Sequence, residues 1–288
     1  MKPLIVANWK CNPTTLQEAK RLFNSVKEEM RNPKNSEVVI CPPFVYLSNI
    51  QYLKSNIKLG AQDCFWEEKG AFTGEISPLT LKNLGCEYVI IGHSERRKLG
   101  ETDEMINKKI KAALSAKLKP ILCIGETGEE RKQGKTFKVL KNQLKNDLKY
   151  LISNIYYLKS LIIAYEPVWA IGTGNSCEPR EAKKVYLFLR KISHQLINSR
   201  ASYNSEGICS GSANKLLYGG SVNSENAASY IQEANFQGLL VGGASLNAQE
   251  FIKIVKSIDP APILQNNCFA AHGGRIGQSR LAGQYYSY

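Results

Sequence analysis

Short apolar runs alternate with amphipathic segments along most of the chain. Each run is too short for a core helix and suits a strand that is buried on both faces. The predicted strands begin near residues 4, 37, 57, 88, 120, 161, 215 and 238. Segments with helical periodicity separate them, for instance residues 129–150 and 178–196. Eight strand–helix units in this order predict an α/β protein with parallel strands.

The simplest closure of eight such units is a (β/α)8 barrel, which we predict as a single domain over residues 1–258. A doubly wound open sheet is the alternative architecture. That fold usually carries a Gly-x-Gly-x-x-Gly turn after its first strand, and the turn is absent here. The first helix is predicted to begin near Thr15, with Glu18 as its capping partner.

Two stretches interrupt the strand–helix rhythm. Residues 198–214 are polar, and we interpret them as a surface insertion between a helix and the seventh strand. Residues 259–288 form a C-terminal extension beyond the eighth unit, rich in Gly, Ser, Gln and Tyr. We expect this tail to be disordered or loosely docked on the barrel.

The composition is that of a folded chain without a membrane segment. Hydrophobic residues make up 43% of the 288 residues, and no run approaches the ~18 apolar residues of a membrane span. The N-terminus runs directly into a strand, so no signal peptide is expected. None of the eight cysteines forms a Cys-x-x-Cys pair. We therefore expect reduced thiols and a cytoplasmic location.

The net charge of +13 raises the possibility of a nucleic-acid partner. Much of the excess lies between Lys108 and Lys159, where the spacing of lysines 138, 141, 145 and 149 places them on one helix face. Such a face is usually solvated, and no aromatic residues are interleaved with these lysines. We do not favour nucleic-acid binding, although the positive field would attract an anionic metabolite.

Polar side chains stand at the ends of several predicted strands. In the first strand, Leu4, Val6, Asn8 and Lys10 alternate onto one face, so that apolar side chains lie below polar ones. His93 ends the fourth strand. Because the carboxyl ends of barrel strands converge on one face, these groups are candidates to meet. Taken singly, a lysine here could be solvated and a histidine could be structural.

The sixth strand ends on a carboxylate that is followed by a flexible segment. Pro167 keeps Glu166 out of the helical region, so the strand ends at the acid. The apolar tip that follows reaches Gly172 and Gly174, and we interpret it as a hinged lid beside a general base. On its own, Glu166 could also be a member of an ion pair at the top of the barrel.

Paired glycines follow the last two strands, as Gly219-Gly220-Ser221 and Gly242-Gly243. They could simply terminate the strands. Two such turns after consecutive strands are more typical of a phosphate site, because backbone N–H groups can then approach an anion closely.

Together with these groups, seven motifs resemble the triosephosphate isomerase family, in the family's order and over nearly the whole predicted barrel. They occupy residues 7–12, 70–77, 91–97, 123–126, 161–174, 218–222 and 241–245. The resemblance implies interconversion of dihydroxyacetone phosphate and D-glyceraldehyde 3-phosphate through an enediolate. It implies neither a metal nor another cofactor. The departures from the family pattern are the 198–214 insertion and the 259–288 tail.

The resemblance also implies a role for each residue that matches a family motif. Glu166 is the expected base, His93 the neutral proton donor, and Lys10 the group that balances negative charge. The remaining expected residues bind substrate or support the site: Asn8, Gly172, Ser221, Gly242 and Gly243 for binding, and Glu95 and Thr73 for support.

In the resembled family, the loop after the third strand inserts into a second subunit near the first-strand lysine. This loop carries Phe65, Trp66, Phe72 and Thr73 here, so we expect a homodimer with Cys11 near the interface. Alternatively, these aromatic side chains fold back onto their own barrel.

Two other functions remain as alternatives. A lyase or aldolase on the same fold would need a Schiff-base lysine or a metal-ligand set, and the last four strands show neither. A non-catalytic basic binding protein would not need Lys10, His93 and Glu166 together.

Overall fold

A computed structural model of the chain describes residues 2–30, 36–51, 55–149, 151, 160–201 and 214–258. Eight parallel strands follow one another around a closed barrel, and the first pairs with both the second and the eighth. The barrel prediction is therefore confirmed and the open sheet is wrong. The strands are β1 Leu4–Asn8, β2 Glu37–Cys41, β3 Lys58–Ala61, β4 Cys86–Ile91, β5 Lys119–Ile124, β6 Ile162–Tyr165, β7 Lys215–Tyr218 and β8 Gly238–Val241.

Helices connect consecutive strands on the outside of the barrel. Within the described residues they are α1 Leu16–Glu29, α2 Phe44–Ile50, α3 Pro78–Asn83, α4 Ser94–Lys98, α5 Asp103–Ser115, α6 Gly128–Lys132, α7 Thr136–Asp147, α8 Pro179–Ala201, α9 Ala227–Gln232 and α10 Ala248–Ile258. Short 3₁₀ turns occupy Val168–Ala170 and Gly243–Leu246. The predicted start of the first helix is confirmed, since the Thr15 hydroxyl accepts the Glu18 N–H and donates to its carboxylate.

Two predicted boundaries are wrong. The segment 129–150 is not one helix, because the chain turns between α6 and α7 and Gly134 adopts a φ of 67° there. The predicted insertion begins too early, since α8 continues through residues 198–201. Residues 202–213 and the predicted tail 259–288 lie outside the described residues. No helix within the described ranges combines the length and apolar character needed to cross a bilayer.

Alternate strand residues point inward and fill the barrel. The inward set forms a separate buried cluster that includes Leu4 and Val6 of β1 and Tyr88 of β4. The outward strand residues pack against the helices in a second cluster. Lys10 departs from the predicted alternation, because β1 ends at Asn8 and Lys10 has a φ of 54°. The left-handed backbone at Lys10, and not the alternation of side chains along the strand, therefore sets the direction of the Lys10 side chain.

Candidate active site

A cavity of about 300 Å³ opens at the carboxyl ends of the strands. It brings together side chains from the ends of β1, β4 and β6 with backbone from the ends of β7 and β8. Its polar lining includes most of the residues that the sequence predicted for the site: Asn8, Lys10, His93, Glu166, Gly172, Ser221, Gly242 and Gly243.

Glu166 lies at the bottom of this cavity with only 2% of its surface exposed. Its Oε1 is 3.0 Å from His93 Nε2, and its Oε2 accepts the Ser94 N–H at 3.1 Å. The Glu166 N–H donates to the Ile124 carbonyl of β5 at 2.8 Å, which fixes the backbone below the carboxylate. The carboxylate is therefore held in place both through its oxygens and through its backbone.

The hydrogen bonds of His93 define its tautomer. His93 caps α4, and its Nδ1 accepts the Glu95 N–H at 3.2 Å. A neutral ring that accepts at Nδ1 carries its proton on Nε2. The Nε2–H then donates to Glu166 and faces the cavity. The cap thus presents a neutral imidazole with one available N–H.

Lys10 reaches the cavity through a tightly held backbone turn. Its N–H donates to Asn8 Oδ1 at 3.0 Å, and its carbonyl accepts from Gln62 Nε2 at 2.8 Å. The ammonium group lies 2.5 Å from Glu95 Oε1. Partial burial opposes ionisation of Glu95, but the hydrogen bond from Lys10 and the charges around it lower the pKa of Glu95. Glu95 therefore remains a charged partner that aims the lysine.

The near end of the predicted lid is anchored by a buried carboxylate. Glu126 Oε1 accepts from the Tyr165 hydroxyl at 3.1 Å and from the Trp169 indole N–H at 3.0 Å. The Arg131 guanidinium stacks 4.4 Å above the Trp169 ring. The segment is also tied to the end of the neighbouring strand β7, where the Ser221 hydroxyl donates to the Ala170 carbonyl at 2.6 Å.

The glycines around the site allow the backbone to pack closely. A Cβ at Gly219 would lie 3.0 Å from Glu166 Cγ, and one at Gly242 would lie 3.2 Å from Lys10 Cε. A Cβ at Gly125 would lie 1.7 Å from the Glu166 carbonyl oxygen. The absence of a side chain at these three positions thus lets the ends of β5, β7 and β8 pack against Glu166 and Lys10.

A profile of the family described as triosephosphate isomerase matches residues 3–258 of the chain. The chain belongs to the triosephosphate isomerase family. A triosephosphate isomerase of Dehalococcoides mccartyi is 47% identical over 92% of this chain and 99% of its own length. Those of Aquifex aeolicus and Thermoanaerobacter pseudethanolicus are 45% and 47% identical, over 89% and 88% of the chain and 100% and 98% of their own lengths.

The family resemblance also suggested Thr73, which the structure places elsewhere. Thr73 is exposed on the loop between β3 and α3 and does not line the cavity of its own chain. The aromatic residues of this loop pack on one another, with ring centroids 4.1 Å apart for Phe65–Trp66 and 4.8 Å for Phe65–Phe72. Phe65 is buried, whereas Phe72 remains 44% exposed.

Three contributors to this family site had no role assigned from the sequence. Gln62 holds the carbonyls of Lys10 and Cys41, and Glu126 accepts the Trp169 indole N–H. Burial and then the charge of Glu166 raise the pKa of the Cys123 thiol. Gln62 directly follows β3 and Glu126 lies two residues after β5, and polar residues in such places could have been identified from the sequence. The described residues contain no group of three or more His, Cys, Asp or Glu side chains placed to hold a metal ion.

Proposed function

We propose that Glu166, His93 and Lys10 carry out the reaction of the triosephosphate isomerase family in this chain. That reaction interconverts dihydroxyacetone phosphate and D-glyceraldehyde 3-phosphate. The observation that carries the proposal is the 3.0 Å contact between Glu166 Oε1 and His93 Nε2 at the bottom of the cavity. A base and a hydrogen-bond donor at this separation can act on adjacent atoms of one small substrate.

The proton transfer follows from the chemistry of these groups. Glu166 takes a proton from the carbon next to the carbonyl, and the electrons of that C–H bond move to the carbonyl oxygen to give an enediolate. His93 Nε2–H gives its proton to this oxygen and takes up the hydroxyl proton from the oxygen on the neighbouring carbon, whose electrons then form the new carbonyl. Glu166 then returns the proton to the neighbouring carbon. A carboxylate base with a neutral histidine is the known arrangement of this family, and the bond from Glu95 N–H to His93 Nδ1 supports it in this chain.

Lys10 and Asn8 supply the remaining polar groups beside the reacting atoms. The Lys10 ammonium offsets negative charge on the oxyanion and on the phosphate, and Glu95 keeps it in position. A preorganised donor of this kind contributes roughly 10²–10³-fold to the rate.

We assign phosphate binding to the backbone N–H groups of Gly172, Ser221, Gly242 and Gly243. All four residues line the cavity. Gly243 faces open space, since a Cβ there would have no neighbour within 4 Å. Phosphate held at this end would favour closure of residues 168–174 over the substrate. Closure excludes water and protects the enediolate.

The first test is the assay of the purified chain on glyceraldehyde 3-phosphate, coupled to a dehydrogenase. Glu166→Gln should lower kcat by about 10³-fold or more, because it removes the base while the phosphate-binding groups remain. Circular dichroism of the variant should match the wild type, and inorganic phosphate should inhibit any residual activity. A loss of less than tenfold would contradict the assignment of Glu166.

We further propose a homodimer that forms through the loop after β3, with Thr73 completing the partner's site. Exposed apolar side chains lie on the connections after three consecutive strands, at the active-site end of the barrel. These are Val45 at 71%, Phe72 at 44% and Leu99 at 85% exposure. Sedimentation of the wild type should give a dimer, and Phe72→Ser should shift it toward monomer. A wild-type monomer at micromolar concentration would refute this assembly.

We also propose that residues 1–258 form the complete catalytic domain in the cytoplasm. The family match ends at residue 258, and the described cysteines are all free thiols, as a reducing compartment requires. Deletion of residues 260–288 should leave activity within about threefold of the wild type. An insoluble or inactive truncated chain would show that the tail belongs to the fold.

A further inference from the structure

The far end of the lid is held at one residue, Cys177, by two tyrosines. The Cys177 N–H donates to the Tyr218 hydroxyl at 3.1 Å, and the Cys177 carbonyl accepts from the Tyr230 hydroxyl at 2.6 Å. All three residues are fully buried. By contrast, residues 172–175 are exposed, and Gly172 and Gly174 have φ angles of 71° and 76°. The change from exposed lid to fixed scaffold therefore occurs at Cys177.

The two tyrosines form one unit, although they come from different elements. Tyr218 is the last residue of β7 and Tyr230 lies in α9, and their rings stack at 3.7 Å with an angle of 14°. Burial is the main cause that raises the pKa of each hydroxyl, so both stay protonated.

These contacts hold both backbone polar groups of Cys177. The Tyr218 hydroxyl accepts the Cys177 N–H, and the Tyr230 hydroxyl donates to the Cys177 carbonyl. Hydrogen bonds in such a buried network strengthen one another. Gly220 leaves room for the Tyr218 side chain, since a Cβ there would lie 2.2 Å from the Tyr218 hydroxyl.

We propose that Tyr230 is a positioning residue that fixes the far end of the lid for closure over the substrate phosphate. This inference rests on the proposed role of residues 168–174 as a lid. Tyr230 does not line the cavity, and its hydroxyl reaches the lid through the Cys177 carbonyl. Without its hydroxyl, the lid has a looser attachment at one end. More conformational freedom is then lost each time the lid closes.

The test compares Tyr230→Phe with the wild type on two substrates. The phenylalanine keeps the stacked ring and removes one hydroxyl. For glyceraldehyde 3-phosphate, kcat/KM should fall about fivefold, the effect of one neutral hydrogen bond. For D-glyceraldehyde, which has no phosphate to drive closure, kcat/KM should stay within about twofold. Hydrogen exchange of the backbone amides of residues 172–176 should become faster by a similar factor.

Tyr186→Phe is the matched control. The Tyr186 hydroxyl accepts from Gln237 Nε2 at 3.0 Å, away from the lid, so this variant should match the wild type in all three measurements. Equal losses on both substrates, or unchanged kcat/KM for both with unchanged amide exchange, would overturn the proposal. An inactive wild type would refute the proposed function instead, and the amide-exchange comparison would still test the attachment of residues 172–176.

Discussion

Replacing Gly125 with alanine is expected to displace Glu166 while leaving in place the proposed phosphate-binding groups that follow β7 and β8. The new Cβ would lie 1.7 Å from the Glu166 carbonyl oxygen and 2.6 Å from its carbonyl carbon. Both atoms belong to the backbone of the neighbouring strand end, so no change of side-chain rotamer relieves the overlap. Contacts below 3.0 Å do not occur at real Cβ atoms, and the strand ends must separate by roughly 1 Å.

That separation falls directly beneath the proposed base. The hydrogen bond from Glu166 N–H to the Ile124 carbonyl, at 2.8 Å, spans the same gap and would be lost. A displacement of about 1 Å at a reacting group costs about 10²-fold in rate. We therefore expect kcat to fall about 100-fold. KM should change by less than about threefold, because the proposed phosphate-binding groups Ser221, Gly242 and Gly243 follow β7 and β8.

The assay is steady-state turnover of glyceraldehyde 3-phosphate, with urea unfolding measured on the same samples. Overpacking of this kind should reduce the free energy of unfolding by about 1–3 kcal/mol. Gly128→Ala is the control, because it lies on the same connection and its Cβ would meet only Trp169 Cβ, at 3.4 Å. A kcat for Gly125→Ala within threefold of the wild type would refute the reasoning.

Three further predictions concern the lid, a buried ion pair and pH. Glu126→Gln should lower kcat/KM about threefold to tenfold, because Trp169 loses a charged acceptor; unchanged Trp169 fluorescence would contradict this. Arg97→Met should cost about 3 kcal/mol in urea unfolding, because it leaves the fully buried Asp147 without the guanidinium 2.7 Å away; a loss below about 1 kcal/mol would argue against it. Burial raises the pKa of Cys177 from 9.0 to about 11, so its thiol loses a proton more readily in the unfolded chain. The free energy of unfolding should therefore fall between about pH 9 and 11. In Cys177→Ala this fall should be smaller by about 2–3 kcal/mol.

Local chemistry made much of the architecture predictable. Eight apolar runs of strand length predicted the barrel, and Thr15 with Glu18 predicted a helix start that the structure confirms. Pro167 directly after Glu166 predicted the end of β6 to within one residue, since the strand ends at Tyr165. In each case, the determining interaction lies within a few residues of the feature that it sets.

Features that depend on distant residues could not be predicted in this way. The left-handed backbone at Lys10 is held by a hydrogen bond from Gln62, which lies 52 residues away along the chain. The two hydrogen bonds at Cys177 need Tyr218 and Tyr230, which barrel closure brings beside the lid. No period or motif encodes such contacts, because they exist only once the strands have taken their order in space.

The glycines around the cavity differ in how far they permit redesign of the substrate pocket. A side chain at 125 would overlap the Glu166 backbone, and one at 220 would overlap the Tyr218 ring. At 242 a side chain would press on Lys10. Gly243 has no neighbour within 4 Å of its Cβ position and does not have a left-handed backbone. A library that alters substrate size should therefore vary position 243 and leave the other three as glycine.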